Sequence, residues 1–236
     1  MIAQFRSGDP LSSDAFIAAI NKKAAKEIDG ENGNTPLHYA CCCAAPLKVV
    51  KALLKANKSA ASVKDSDGNI PLVGAVANGA GADVVQALID AFPGGVTARQ
   101  GQHTLLHSAC CNGASEATVA VLLKAWPAAA RERDADGNTP LHFAAAGKAN
   151  LGVVEALIKE YPEAATLRGQ MGRLPLSLAL LCEAPPDACV AIRDANPSAM
   201  REMSLVSDYL NHGYGIIGAA TPPTGPAAST RRQVGK

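Results

Sequence analysis

Histidine and cysteine are the residues of this chain whose spacing most suggests chemistry. His38 is followed by Cys41 and Cys42, His107 by Cys110 and Cys111, and His142 stands in a matching context without a thiol. On a helix, residues three and four apart share a face, and imidazole beside thiolate is a zinc-ligand pattern. A zinc site needs about four converging donors, so the question is whether the two sets can meet. His107-Ser108 sets a base beside a hydroxyl, but no nucleophile elbow and no paired carboxylates accompany it. Gly79-Ala-Gly81-Ala imitates the opening of a dinucleotide-phosphate loop, yet no third Gly follows, no buried strand precedes it, and a lone G-x-G carries little weight. Each pattern has to be judged from the element that carries it.

Those elements repeat. The segments that begin at Thr35, Ile70, Thr104, Thr139 and Leu174 read TPLHYAC, IPLVGAV, TLLHSAC, TPLHFAA and LPLSLAL, with start-to-start spacings of 35, 34, 35 and 35. A fixed period of roughly 20 to 50 residues is the mark of a solenoid or array. Within each unit the leading Thr offers a hydroxyl to orphan N–H groups, and the following Pro has its ring angle preset for a helix start. A first helix therefore opens there. Small residues follow at 44–46, 78–82, 112–115, 147–150 and 183–187. A second helix then carries VVKALLKA, VVQALIDA, TVAVLLKA or VVEALIKE, whose apolar positions at i, i+1, i+4 and i+5 form one buried stripe. Phe92-Pro93, Trp126-Pro127 and Tyr161-Pro162, and less fully Asn57-Lys58 and Asn196-Pro197, end it, because proline cannot continue a helix. Turn formers come next, DSDGN at 65–69, DADGN at 134–138 and GQMGR at 169–173, and project as a finger. With helices packed roughly 8–10 Å apart, His38 and His107 lie two units, or roughly 20 Å, from one another. They cannot share an ion, and no metal is expected. Gly79 and Gly81 fall in the loop between two helices.

Composition agrees. Hydrophobic residues make up 48% of the chain but aromatics only 4%, so the core must come from small aliphatic side chains, which suits closely packed helices and an all-α fold. The net charge of +1 hides an asymmetry: residues 1–64 carry nine basic against five acidic groups, 65–230 carry ten against sixteen, and the last six residues add three basic groups. No segment has the basic density of a nucleic-acid groove, and aromatics are not interleaved with the lysines as base stacking requires, so no nucleic-acid partner is expected. The chain shows no signal-peptide run and no stretch long enough to span a bilayer, so direct membrane insertion is not expected. Seven cysteines, three of them adjacent at Cys41–Cys43, ill suit a disulfide framework and point to a reducing, intracellular and most simply cytoplasmic setting.

The chain resembles the ankyrin-repeat family, whose units of about 33 residues carry T-P-L-H-x-A. Thr35–Ala40 and Thr139–Ala144 match that motif letter for letter, and residues 104–109 differ only by Leu105 in place of Pro. The resemblance covers roughly residues 30–205. It departs in period, with one extra residue between the helices and one after the second, where an aromatic-Pro pair replaces the family's Gly. The implied fold is an all-α ankyrin-repeat solenoid of stacked helix-turn-helix units with projecting finger turns, comprising five repeats, an N-terminal half-repeat and a degenerate C-terminal cap. An arm at 1–12 precedes a repeat domain at 13–212. Phe16, Ile17 and Ile20 supply the buried face of the half-repeat, while Lys22, Lys23 and Lys26 stay solvated. Residues 213–236, with five Gly and three Pro, cannot bury enough apolar surface to offset their ordering entropy, so this tail is expected to be disordered unless a partner holds it.

The resemblance also implies that the motif His is structural, bonding its own Thr and a neighbouring finger's backbone, and that the Cys pairs are small core-fillers. The implied function is a non-catalytic protein–protein interaction module, an adaptor or scaffold that binds another protein through its concave groove, with no cofactor. An accessory structural subunit of a large assembly, its tail bound to a neighbour, is the alternative, and a regulatory subunit of an enzyme is a third. The position after the motif His is expected to face solvent in the groove, at Tyr39, Gly74, Ser108, Phe143 and Leu178. With the finger residues, the candidate partner-binding set is Tyr39, Asp67, Gln102, His103, Ser108, Asp136, Asn138, Phe143, Arg173 and Leu178. Lys48, Lys51, Lys55 and Lys58 lie at helical spacing opposite the Val/Leu stripe of the first unit, a pattern of a solvated face that is also able to dock an acidic partner.

Overall fold

The computed structural model describes residues 17–200 apart from residue 19. The arm at 1–12, Phe16, the cap beyond residue 200 and the tail at 213–236 lie outside the described residues. Each Pro-Leu motif opens a seven-residue helix and each apolar stripe a ten-residue one. In chain order these are α1 (Pro36–Cys42), α2 (Leu47–Ala56), α3 (Pro71–Ala77), α4 (Ala82–Ala91), α5 (Leu105–Cys111), α6 (Glu116–Ala125), α7 (Pro140–Ala146), α8 (Leu151–Glu160), α9 (Pro175–Leu181) and α10 (Pro186–Ala195). The short helices stack on one another in one layer and the long helices in a second. Thr35 and Thr104 cap α1 and α5, their hydroxyls accepting from the His38 and His107 backbone N–H at 3.4 Å. The motif leucines Leu37, Leu72, Leu106, Leu141 and Leu176 are all buried, as are the valine pairs of α2, α4 and α8. Small apolar residues thus fill both layers.

The loop joining each short helix to its long one uses the same backbone device. Ala44, Gly79, Gly113, Lys148 and Glu183 occupy equivalent places, and all have positive φ, between 50° and 70°. The G-x-G at 79–81 is explained by this: Gly79 is the left-handed turn residue and Gly81 is the N-cap of α4.

The long helices also end alike. Asn57, Phe92, Trp126, Tyr161 and Asn196 all lie near φ −145° and ψ 82°, the extended conformation that a following proline favours. The chain then continues as a five-residue 3₁₀ turn rather than an open loop, at Lys58–Ser62, Pro93–Thr97, Pro127–Arg131 and Pro162–Thr166, each with a buried pair such as Ala60/Ala61 or Ala164/Ala165. The residue before it ties one unit to the last: Asn57 Nδ2 donates to the Ala25 carbonyl at 3.1 Å, Asn196 Nδ2 to that of Ala165 at 2.9 Å, and the Tyr161 ring lies 5.0 Å beneath the Arg131 guanidinium.

One finger departs from the helical plan. It forms a short antiparallel hairpin, β1 (Arg99–Gln100) and β2 (His103–Thr104), with Arg99 opposite Thr104 and Gln100 opposite His103. No helix among the described residues is long and apolar enough to cross a membrane.

Candidate functional site

The motif histidines are fixed by both ring nitrogens. Thr35 N–H donates to His38 Nδ1 at 3.1 Å, and the Thr35 hydroxyl lies 2.9 Å from the same nitrogen. His38 Nε2 stands 3.1 Å from the Asn69 carbonyl. A carbonyl only accepts, so Nε2 carries the proton and Nδ1 takes the bonds from Thr35. His107 repeats this with Thr104 and the Asn138 carbonyl at 3.2 Å, and His142 with Thr139 and the Arg173 carbonyl at 3.3 Å. Burial pushes all three imidazoles below their ordinary pKa, His142 to about 4, so they are neutral at pH 7. Each His therefore ties its own helix start to the next finger. The second unit has Val73 at this position, and among the described residues no hydrogen bond joins the finger at 65–69 to the hairpin. The hairpin is instead held from the other side by an Arg99–Glu132 ion pair, and His103 Nε2 lies 3.6 Å from Asp134 Oδ2.

The cysteines divide. Cys41 and Cys110 are buried and fill core, their thiol pKa raised by burial, but Cys42, Cys43 and Cys111 are exposed. The expectation that the pairs fill core holds for one member of each. Cys42 and Cys111 are the last residues of their seven-residue helices and lie outside the buried stripe that Cys41 and Cys110 join. Among the described residues no group of three or more His, Cys, Asp or Glu is placed to hold a metal ion.

The largest concentration of candidate residues lies between the fourth and fifth fingers. His103, Asp136, Asn138, Phe143, Arg173 and Leu178 line one cleft of about 320 Å³, joined by Asp134, His142, Ala146 and Gln170. Phe143, Ala146 and Leu178 make its apolar floor, with Ala146 three residues beyond Phe143 on the same helix face. Phe143 is half-buried and meets the rings of His103 and His107 edge to face, at 5.0 and 5.2 Å between ring centres. Ser108 lines a smaller neighbouring cleft of about 170 Å³ with His103, His107 and Phe143. Tyr39, Asp67 and Gln102 line neither. Tyr39 is half-buried and its hydroxyl donates to Asp29, across to the preceding finger.

One residue expected to face solvent does not, and one finger residue of the candidate set is equally buried. Asn138 and Ser108 are each only 9% exposed. Asn138 is a structural link: its Oδ1 accepts from Gln170 N–H at 2.9 Å and its Nδ2 donates to Asp134 Oδ2 at 3.1 Å. Asp134 Oδ1 accepts from the backbone N–H of Asp136 and Asn138. Burial acts to raise the Asp134 pKa, but these hydrogen bonds outweigh it and hold the carboxyl below its usual value. Asp134 and Gln170 were not legible as site residues, since their role arises from how two fingers meet. By contrast Asp136 and Arg173 are exposed, and the Arg173 side chain makes no hydrogen bond or ion pair among the described residues. The cleft thus sets an apolar floor between a carboxylate and an unpaired guanidinium.

A family model described as ankyrin repeats matches the chain in three copies, over residues 7–97, 72–168 and 106–191. No curated protein matches it significantly.

Proposed function

This chain belongs to the ankyrin-repeat family, and on that premise we propose that it is a non-catalytic adaptor or scaffold holding another protein in the groove between its fingers and its short helices. Ankyrin repeats are generally protein–protein interaction modules. One observation carries the reading: the cleft that gathers His103, Asp136, Phe143, Arg173 and Leu178 around an apolar floor. Apolar floors flanked by charged groups are what interface anchors fill, and an unpaired arginine is ready for a bidentate carboxylate contact. The motif histidines and threonines, which bond one another, have no free nitrogen or hydroxyl to offer a reaction.

Affinity isolation of the intact protein, with mass spectrometry of what accompanies it, identifies the partner. Arg173→Glu is the clean test, because only backbone atoms of Arg173 make hydrogen bonds within the fold. It should weaken partner binding by roughly 1 to 3 kcal/mol. Phe143→Ala should do the same, with a thermal melt to separate lost binding from lost packing on His103 and His107. Lys124→Ala, on the outer face of α6, serves as control. A partner that survives both groove substitutions and is lost with the control would place binding on the opposite face and end the groove reading.

A further inference from the structure

The outer face of the first unit is a row of cations. Lys48, Lys51, Lys55 and Lys58 are all exposed, opposite the buried Val49, Val50 and Leu53 of α2. The bond from Asn57 Nδ2 to the Ala25 carbonyl lays the preceding turn, with exposed Lys22, Lys23 and Lys26, against the end of α2. Of these seven, all but Lys48 lack an ion pair among the described residues. The charge is local to this end of the repeat array, since residues 1–64 carry nine basic against five acidic groups while 65–230 carry ten against sixteen. Unpaired like charges on neighbouring turns repel one another and do nothing for the stability of α2.

We propose that this strip is a docking surface for an acidic helix of a partner protein, with carboxylates at every third or fourth residue. Lys48, Lys51 and Lys55 succeed one another on α2 by three and four residues, which at a rise of about 1.5 Å per residue sets them about 4.5 and 6 Å apart along the helix, and Lys58 opens the 3₁₀ turn just beyond its end. Carboxylates at i, i+3 or i+4, and i+7 on a second helix have the same period. Lysine, a point charge without arginine's planar fork, suits a row of separate carboxylates better than bidentate capture of one phosphate. No aromatic side chain stands among the lysines to stack a base, and α2 exposes no large apolar side chain to enter a bilayer. The strip lies on the long-helix layer, away from the cleft of the short helices and fingers, so this site stands or falls independently of the groove.

The test uses the intact protein and a fluorescent synthetic helical peptide with Glu at every third or fourth position, beside a scrambled peptide of identical composition. The periodic peptide should bind on the order of tenfold more tightly than the scrambled one, as expected when several exposed ion pairs form in register, and added salt should weaken it. Lys51→Glu/Lys55→Glu/Lys58→Glu should abolish binding with an unchanged circular-dichroism melt, while Lys124→Glu on α6 should preserve it. Equal affinity for the scrambled peptide overturns the proposal, as does tighter binding of phosphatidylserine vesicles or a single-stranded oligonucleotide. Should the triple variant unfold, the comparison of the two peptides on the unaltered protein decides.

Discussion

At the scale of single residues, the buried histidines make stability depend on pH. His142 has a folded pKa of about 4 against an ordinary 6.5, and His38 and His107 shift in the same direction. Above about pH 6.5 both folded and unfolded chains hold these rings neutral, and their contribution is complete. As pH falls from there toward 4, the unfolded chain takes up protons that the folded one refuses, so stability declines over this window, by on the order of 1 to 3 kcal/mol for His142. Thermal melts should therefore drop between pH 7 and pH 5, and His142→Ala, though less stable at pH 7, should show a shallower slope. A melting temperature flat across that range would contradict the burial of these rings in neutral form. The thiols give a second residue-level expectation. A thiol reagent should modify Cys42, Cys43 and Cys111 quickly and reach Cys41 and Cys110 only as the chain unfolds, and mass mapping of early adducts reads this directly. The bonding of His to Thr was legible in the motif itself. The split within each Cys pair was not, because the stacked segments record which residues recur and not which side of a seven-residue helix each one takes.

At the scale of elements, helix starts and ends were legible because single residues with strong backbone preferences mark them: Thr-Pro before the short helices and aromatic-Pro after the long ones. The 3₁₀ turns and the hairpin were not. A run such as Ala128-Ala129-Ala130 has no polar periodicity to announce a turn, and its burial depends on the neighbouring unit. The finger at 169–173 shows how much such contacts decide. A Cβ on Gly169 would lie 2.1 Å from Asn138 Oδ1 and 2.9 Å from the His142 ring, so the close approach of two fingers requires glycine here. Gly169→Ala should break the Asn138–Gln170 bond and loosen the His142 tie, costing about 1 to 3 kcal/mol. Chemical denaturation measures it; a value near zero would mean that the fingers separate freely.

At the scale of the whole molecule, the stacking of like on like makes stability a sum over neighbours. Leu141 and Leu106 are each 1% exposed, sandwiched between the two layers. Truncating either to alanine should cost roughly 2 to 5 kcal/mol and lower hydrogen-exchange protection in the adjoining units as well as its own. An unchanged melt would refute the register. That register was readable from the repeat alone, whereas the cleft was only half readable: Phe143, Arg173 and Leu178 take their places from their positions in the unit, but Asp134, Gln170 and the burial of Asn138 come from the meeting of two fingers. The absent tie at Val73 has a mechanical side. Pulled from its two ends, such a stack is a spring of unequal coils: across the seam between the second and third fingers Thr118 Oγ1 still donates to the Ala80 carbonyl at 3.4 Å, but the finger side has no histidine tie and should yield more easily. Load would open that seam first and leave the later units engaged. The cleft lies wholly on the stiffer side, where His107 and His142 tie three fingers in series, so under a given load its geometry should change less than that of the soft coil.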